Sequence, residues 1–165
     1  NREQAIELVK NYEGKIPNPD NMNDNDNKIL NEVISQKNDI ESNLNQFKFR
    51  EALKSLINIA RIGNKFLADT EPWKIKNENP ERVEQILKTS FEIVSYLAVL
   101  SEPFIPHTSK KLKKTIGLNK SDWSNLDNLG REINFNFTIT NKEMLFRRIE
   151  DSEIEFQISR LKNDI

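Results

Sequence analysis

The chain has 165 residues, no cysteine, and 25 Lys and Arg against 26 Asp and Glu. That length suits one ordinary domain with a core of its own. The missing thiols exclude a disulfide framework and suit a reducing cytoplasm, and the balanced charge excludes RNA or DNA binding driven by bulk charge, so that any nucleic-acid contact must be local.

No stretch approaches the roughly 18 consecutive apolar residues of a membrane span, and the N-terminus has no charged-then-apolar leader pattern. A cytoplasmic protein with no membrane partner is expected. Apolar residues make up 36% and charged residues 31% of the chain, which fits helices with large wet faces.

With only four glycines and apolar residues recurring at helical spacing, the fold class is expected to be all-α, a bundle of about five to six helices. A first helix is predicted from about Arg2 to Tyr12, ending at Glu13-Gly14, where glycine supplies the C-terminal cap. Because it begins at the first residue, the chain is expected to be cut from something longer. Pro17 and Pro19 mark an extended connector, and Asp24 or Asn25 caps a second helix with Ile29, Val33, Ile40 and Leu44 on one stripe.

A third helix, from about Phe47 to Asp69, is expected to turn Phe49, Ala52, Leu53, Leu56, Ala60, Gly63, Phe66 and Leu67 inward and Lys54, Asn58, Arg61 and Lys65 outward. Glu71-Pro72-Trp73 ends it. Proline cannot continue the ladder, and the residue before it is pushed out of helical geometry.

Asn79-Pro80 starts a fourth helix, with asparagine at the cap and proline in the first turn. It runs through Val83, Ile86, Leu87, Phe91, Val94, Leu97 and Ala98 and stops before Pro103. Thr108 caps a short helix to Ile116, closed by Gly117, and Ser121-Asp122-Trp123 suggests one more turn. Residues 132–140 alternate polar and apolar side chains and predict one strand-like arm. Asp151 to about Lys162 forms the last helix, with Ile154, Ile158 and Leu161 at helical spacing.

Several chemistries have no support in these residues. His107 is the single histidine, at a helix start, and without clustered partners it makes no metal site. It is assigned a capping or packing role. Neither a cysteine–histidine dyad nor a local serine–histidine–aspartate set exists, and no glycine-rich phosphate loop is present. Glu150-Asp151 and Glu153-Glu155 sit in a helix start, where they suit the helix dipole better than acid–base work. No catalytic residue is assigned.

What remains is recognition. Two readings of Trp73 stand: an indole closing the core between two helices, or a flat platform on which an unstacked base lies. Asn64, Lys65, Lys74 and Lys76 flank the corner in sequence and supply the amide and ammonium donors that single-stranded loop recognition uses beside stacking. Lys110-Lys111-Leu112-Lys113-Lys114 is either a phosphate-steering run or a solvated helix face.

Taken together, Leu8-Val9-Lys10-Asn11-Tyr12-Glu13-Gly14-Lys15-Ile16-Pro17, the run from Ile59 to Lys74 with Asn64 and Pro72-Trp73, Leu100-Ser101-Glu102-Pro103-Phe104-Ile105-Pro106-His107-Thr108-Ser109, and Leu145-Phe146-Arg147-Arg148-Ile149-Glu150 form an ordered pattern over most of the chain. It resembles the C-terminal helical anticodon-binding domain of methionyl-tRNA synthetase, a class I aminoacyl-tRNA synthetase. The resemblance implies that Trp73 stacks an anticodon base, that Pro72 positions it, and that Lys10 and Arg2 on the first helix hold bases, with Asn64 beside them. Asn1-Arg2 resembles the family's Asn-Arg dipeptide, although the interval from Arg2 to Gly14 is one residue longer than the family pattern.

By the same resemblance, residues 1–165 are a single anticodon-binding domain truncated at its N-terminus. Residues 131–165 form an arm and helix that return toward a catalytic domain of the same polypeptide. The implied parent is a ligase that joins methionine to tRNA(Met) using ATP and Mg²⁺. Its His-Ile-Gly-His and Lys-Met-Ser-Lys-Ser type motifs are absent here, so the fragment is expected to be catalytically silent, with no cofactor of its own. The alternatives are the helical domain of another class I synthetase, such as those for cysteine, valine, leucine or isoleucine, and a helical protein–protein scaffold.

Overall fold

The computed structural model describes residues 12–118, 123, 129 and 145–163. Its helices are α1 (Asp24–Asn45), α2 (Phe49–Thr70), α3 (Pro72–Ile75), α4 (Pro80–Leu100), α5 (Pro106–Thr115) and α6 (Asp151–Asn163). The all-α expectation holds. The arm at 132–140, the turn at Ser121-Asp122 and the first helix at 2–11 lie outside the described residues.

Antiparallel helices α1 and α2 pack along one another and against α4, which also receives α3 and α5. Helix α4 is the centre of the bundle, with side chains buried on several sides of its second half. Phe91, Ile93, Tyr96, Ala98, Val99 and Leu100 are all buried, a distribution that only a helix covered on several sides can carry. Trp123 and Leu129 join the same core.

Local chemistry explains the helix ends. Asn23, rather than Asp24 or Asn25, caps α1 by accepting from the Asn25 N–H at 2.8 Å, and Asn79 caps α4 as expected, accepting from the Arg82 N–H at 3.1 Å. Helix α5 begins two residues before the expected Thr108, with Pro106 in its first turn and no side-chain cap bond, because proline needs no N–H partner there. His107 is therefore an exposed residue of that first turn and not a packing one. Gly117 follows at φ 78°, the left-handed end that glycine adopts without a Cβ clash.

The inward face of α2 is rotated from the expected one. Ala52, Leu56, Ile59 and Phe66 are its buried residues, and Ile59 takes the fully buried place that Ala60 was expected to share. Leu53 sits about 100° round the helix from the middle of that stripe and is 41% exposed. Phe49, in the first turn, is exposed and meets Phe47 edge-on with ring centroids 6.3 Å apart. Lys54, Asn58, Arg61 and Lys65 do face outward.

Helix α6 shows Ile154, Ile158 and Leu161 at the expected spacing, but all three are exposed, together with Phe156. Its start is held by Glu153, which accepts from the Glu150 N–H at 3.1 Å and from Arg147 through both oxygens, half of a capping box. The arginine holds the Glu153 carboxyl down to about 2, with help from the Glu150 N–H. Asp151 and Glu153 both lie in the first turn of α6, the place expected for helix-dipole partners.

Candidate nucleic-acid interface

Helix α2 ends when Glu71 adopts the left-handed conformation at φ 38° and ψ 56°, with its N–H bonded to the Leu67 carbonyl. Left-handed geometry is unfavourable for a residue with a Cβ. Pro72 keeps Glu71 out of the right-handed region and opens α3, while the left-handed turn is closed by the Glu71 N–H on the Leu67 carbonyl. The Lys74 N–H returns to the Glu71 carbonyl at 2.8 Å, and the Lys74 ammonium pairs with the Glu71 carboxylate at 2.8 Å. Backbone and side chain together fold 71–74 into one tight corner.

Pro72 is buried and Trp73 is partly exposed. Trp73, Ile75 and Tyr12 all pack on Val83 and Leu87, an apolar pair one turn apart at the beginning of α4. The indole thus belongs to both readings given above: it packs on α4 and still presents surface to solvent. Tyr12 enters the tight turn completed by Glu13 and Gly14, both at positive φ, with the Lys15 N–H on the Tyr12 carbonyl at 2.9 Å. Burial and the nearby Glu84 raise the Tyr12 hydroxyl above its ordinary value.

The connector after that turn is anchored by Ile16 in the core and by a stripe of α4. Arg82 grips Asp26 through both carboxylate oxygens at 2.5 and 2.7 Å and also reaches Gln85 at 3.0 Å. Gln85 donates to the Asn21 carbonyl at 3.0 Å, and Lys88 to the Pro19 carbonyl at 3.2 Å. Asp26 is fully buried, and Arg82 is partly exposed.

Residues 16–163 match the family described as the anticodon binding domain of methionyl tRNA ligase. The chain belongs to this family. Methionine–tRNA ligase of Bacteroides fragilis is 42% identical over 161 residues, which is 96% of this chain and 23% of that protein. The enzyme of Flavobacterium psychrophilum is 39% identical over 154 residues, 93% of this chain and 22% of that protein. The chain therefore spans about a quarter of the length of these relatives. Among solved structures, apo methionyl-tRNA synthetase of Mycobacterium tuberculosis superposes with a TM-score of 0.79 at 19% identity, over 90% of this chain and 31% of that one. The same protein with methionyl-adenylate gives 0.76 at 18%, over 88% and 29%.

Of the residues assigned to tRNA contact by resemblance to this anticodon-binding domain, the structure sets Pro72 and Trp73 at the corner. Asn64 is exposed on α2, seven residues before Glu71 and so roughly 10 Å back along the helix axis. Lys65 lies in a shallow cavity of about 280 Å³ between α1 and α2, among Glu32, Phe66 and Asp69. Lys10 and Arg2 lie outside the described residues. The lysine run is split: Lys110, Lys111 and Lys114 are exposed, whereas Lys113 is buried and pairs with Glu102 at 3.1 Å.

Sequence reasoning missed Tyr12, Val83 and Leu87 as the bed of the indole, and Asp26, Arg82, Gln85 and Lys88 as the fixings of the connector. A signal for the last three existed in their spacing at 82, 85 and 88, which puts polar side chains on one helical stripe. Nothing in the spacing of Asp26 pointed to a partner 56 residues away.

Proposed function

We propose that this chain is the anticodon-reading part of a methionine–tRNA ligase, with Trp73 as the platform for one base of the CAU anticodon. The observation that carries the proposal is an indole packed on Val83 and Leu87 yet partly exposed, at a corner closed by the Lys74 N–H bond to the Glu71 carbonyl. A preset platform loses little freedom when a base settles on it. Pro72 sets its direction. Lys10 supplies charge to the loop from the helix before Gly14, Arg2 joins it there, and Asn64 reaches a neighbouring nucleotide.

On this proposal ATP and Mg²⁺ serve the catalytic domain, in the part of the relatives this chain does not span. Among the described residues no set of three or more His, Asp or Glu side chains is arranged to hold a metal ion. The ligase acts in the cytoplasm, and this chain contributes binding alone. Residues 131–165 return to the catalytic domain, an assignment supported by the exposed Ile154, Phe156, Ile158 and Leu161 of α6.

Binding of methionine tRNA, of an anticodon-swapped methionine tRNA and of CAU stem–loops tests the reading. The expected result is a clear preference for CAU, weakened by about 1–3 kcal/mol in Trp73→Ala, the usual loss for one stacked base. Equal affinity for CAU and swapped loops would return the chain to the scaffold reading.

A further inference from the structure

The bed of Trp73 and the fixings of the connector share the first two turns of α4. Val83 and Leu87 carry the indole and Tyr12 on one stripe, while Arg82, Gln85 and Lys88 hold residues 19–26 on the adjoining one. The connector runs from the Tyr12–Gly14 turn through the buried Ile16 to Asn23, the cap of α1, and Asp26 in the first turn of α1 ties its far end to Arg82. It has few elements of its own to fix it, since between Lys15 and Asn23 it forms no helix. Backbone carbonyls at Pro19 and Asn21 are instead bonded by the α4 side chains Lys88 and Gln85.

We infer that Asp26, Arg82, Gln85 and Lys88 form a positioning clamp for RNA recognition. They fix the Tyr12–Gly14 turn against the Trp73 corner, so that the turn and the indole meet the loop in one register. The inference rests on the anticodon reading for its consequence, while the clamp itself is a property of the connector. None of the four touches the base in this scheme: Asp26 is anionic and buried, and the Gln85 amide is already engaged by Arg82 and the Asn21 carbonyl.

That charge pattern gives a discriminating test with the 165-residue chain and the double variant Asp26→Asn/Gln85→Met. Removing a carboxylate makes the chain more positive, so bulk electrostatics alone would strengthen RNA binding. The clamp predicts the reverse. Affinity for a CAU stem–loop should fall about 3–10-fold, the equivalent of one net hydrogen bond's worth of preorganisation, with the parent's salt slope and parent helix content. The preference for CAU over a swapped loop should shrink by a similar factor. Amide hydrogen exchange should quicken at residues 12–23 and stay at parent rates in α2 and α4.

An affinity and preference equal to the parent's, or faster exchange spread over the whole bundle, would overturn the inference. The first outcome means the register is set elsewhere, and the second means the ion pair only stabilises the fold. Trp73→Ala in the same titration separates the two proposals. If it leaves CAU affinity unchanged, the anticodon reading fails, and the clamp is then judged on the exchange of residues 12–23 alone.

Discussion

Gly63 on α2 faces Ile93 on α4 so closely that a Cβ added to the glycine would stand 3.1 Å from the isoleucine Cγ2. This is the point at which the hairpin of α1 and α2 is seated on the central helix. Gly63→Val puts three carbons into that gap and forces the helices apart. The expected loss is about 1–3 kcal/mol, the range for overpacking, read as a lower urea midpoint with an unchanged m-value. A variant as stable as the parent would show that Ile93 can swing aside.

Thr89 is fully buried in α4, and among the described residues its hydroxyl has no hydrogen-bond partner. An unsatisfied buried hydroxyl is destabilising by roughly 1–3 kcal/mol on mutational scales. Thr89→Val keeps the branched shape and nearly the same helix propensity, so it should stabilise the chain by about 1 kcal/mol. Urea denaturation of the two proteins decides it, and a loss of stability would mean the hydroxyl is satisfied in solution.

Trp73 is held by packing as well as offered for stacking, so Trp73→Ala acts on stability too. Only part of the indole is buried, and the expected loss of about 1–2 kcal/mol lies below the 3–5 of a fully buried tryptophan. Trp73→Phe should recover most of the stability while stacking a base less well. Paired denaturation and stem–loop titrations separate the two effects. A phenylalanine variant that binds like the parent and folds like the alanine variant would reverse their assignment.

Glu92 on α4 carries a carboxyl that burial pushes above its ordinary value, against a smaller downward pull from Lys88. Its folded pKa is above its unfolded one, so the folded state binds more protons in the window between them. Stability therefore falls as pH rises through that window and stays lowered above it. Glu92→Gln removes the ionisation. The variant should gain on the parent as pH rises from the ordinary carboxylate range through the raised folded value and hold a constant margin beyond, as measured by denaturation at a series of pH values. A margin independent of pH would remove Glu92 as the cause.

Much of the fold was legible because it depends on neighbours in sequence. Asn79-Pro80, Gly117 and the 83/87/91 spacing act within a turn or two of themselves, and the structure keeps them where the pattern put them. The helix stop at the corner was legible for the same reason, since Pro72 bars Glu71 from continuing the right-handed helix. What failed to show was decided by distant packing. Whether Ile59 or Ala60 lies inward depends on where α4 crosses α2. Phe49 satisfies the helical pattern yet lies in a first turn that leaves it exposed. The Asp26–Arg82 pair joins residues 56 positions apart, and no local rule couples them. For the site, the indole was visible as a motif, whereas its bed on Val83 and Leu87 belongs to another helix.

Helix α2 passes directly into α3, with Glu71 as the only residue between Thr70 and Pro72. No spacer absorbs a change of length, so the heading of the indole is geared to the rotational phase of α2. One residue inserted between Phe66 and Thr70 would turn the corner by about 100° and advance it by about 1.5 Å, carrying Trp73 off Val83 and Leu87 with every side chain of the corner intact. The count of residues in this stretch is thus as much a component of the site as the tryptophan at its end.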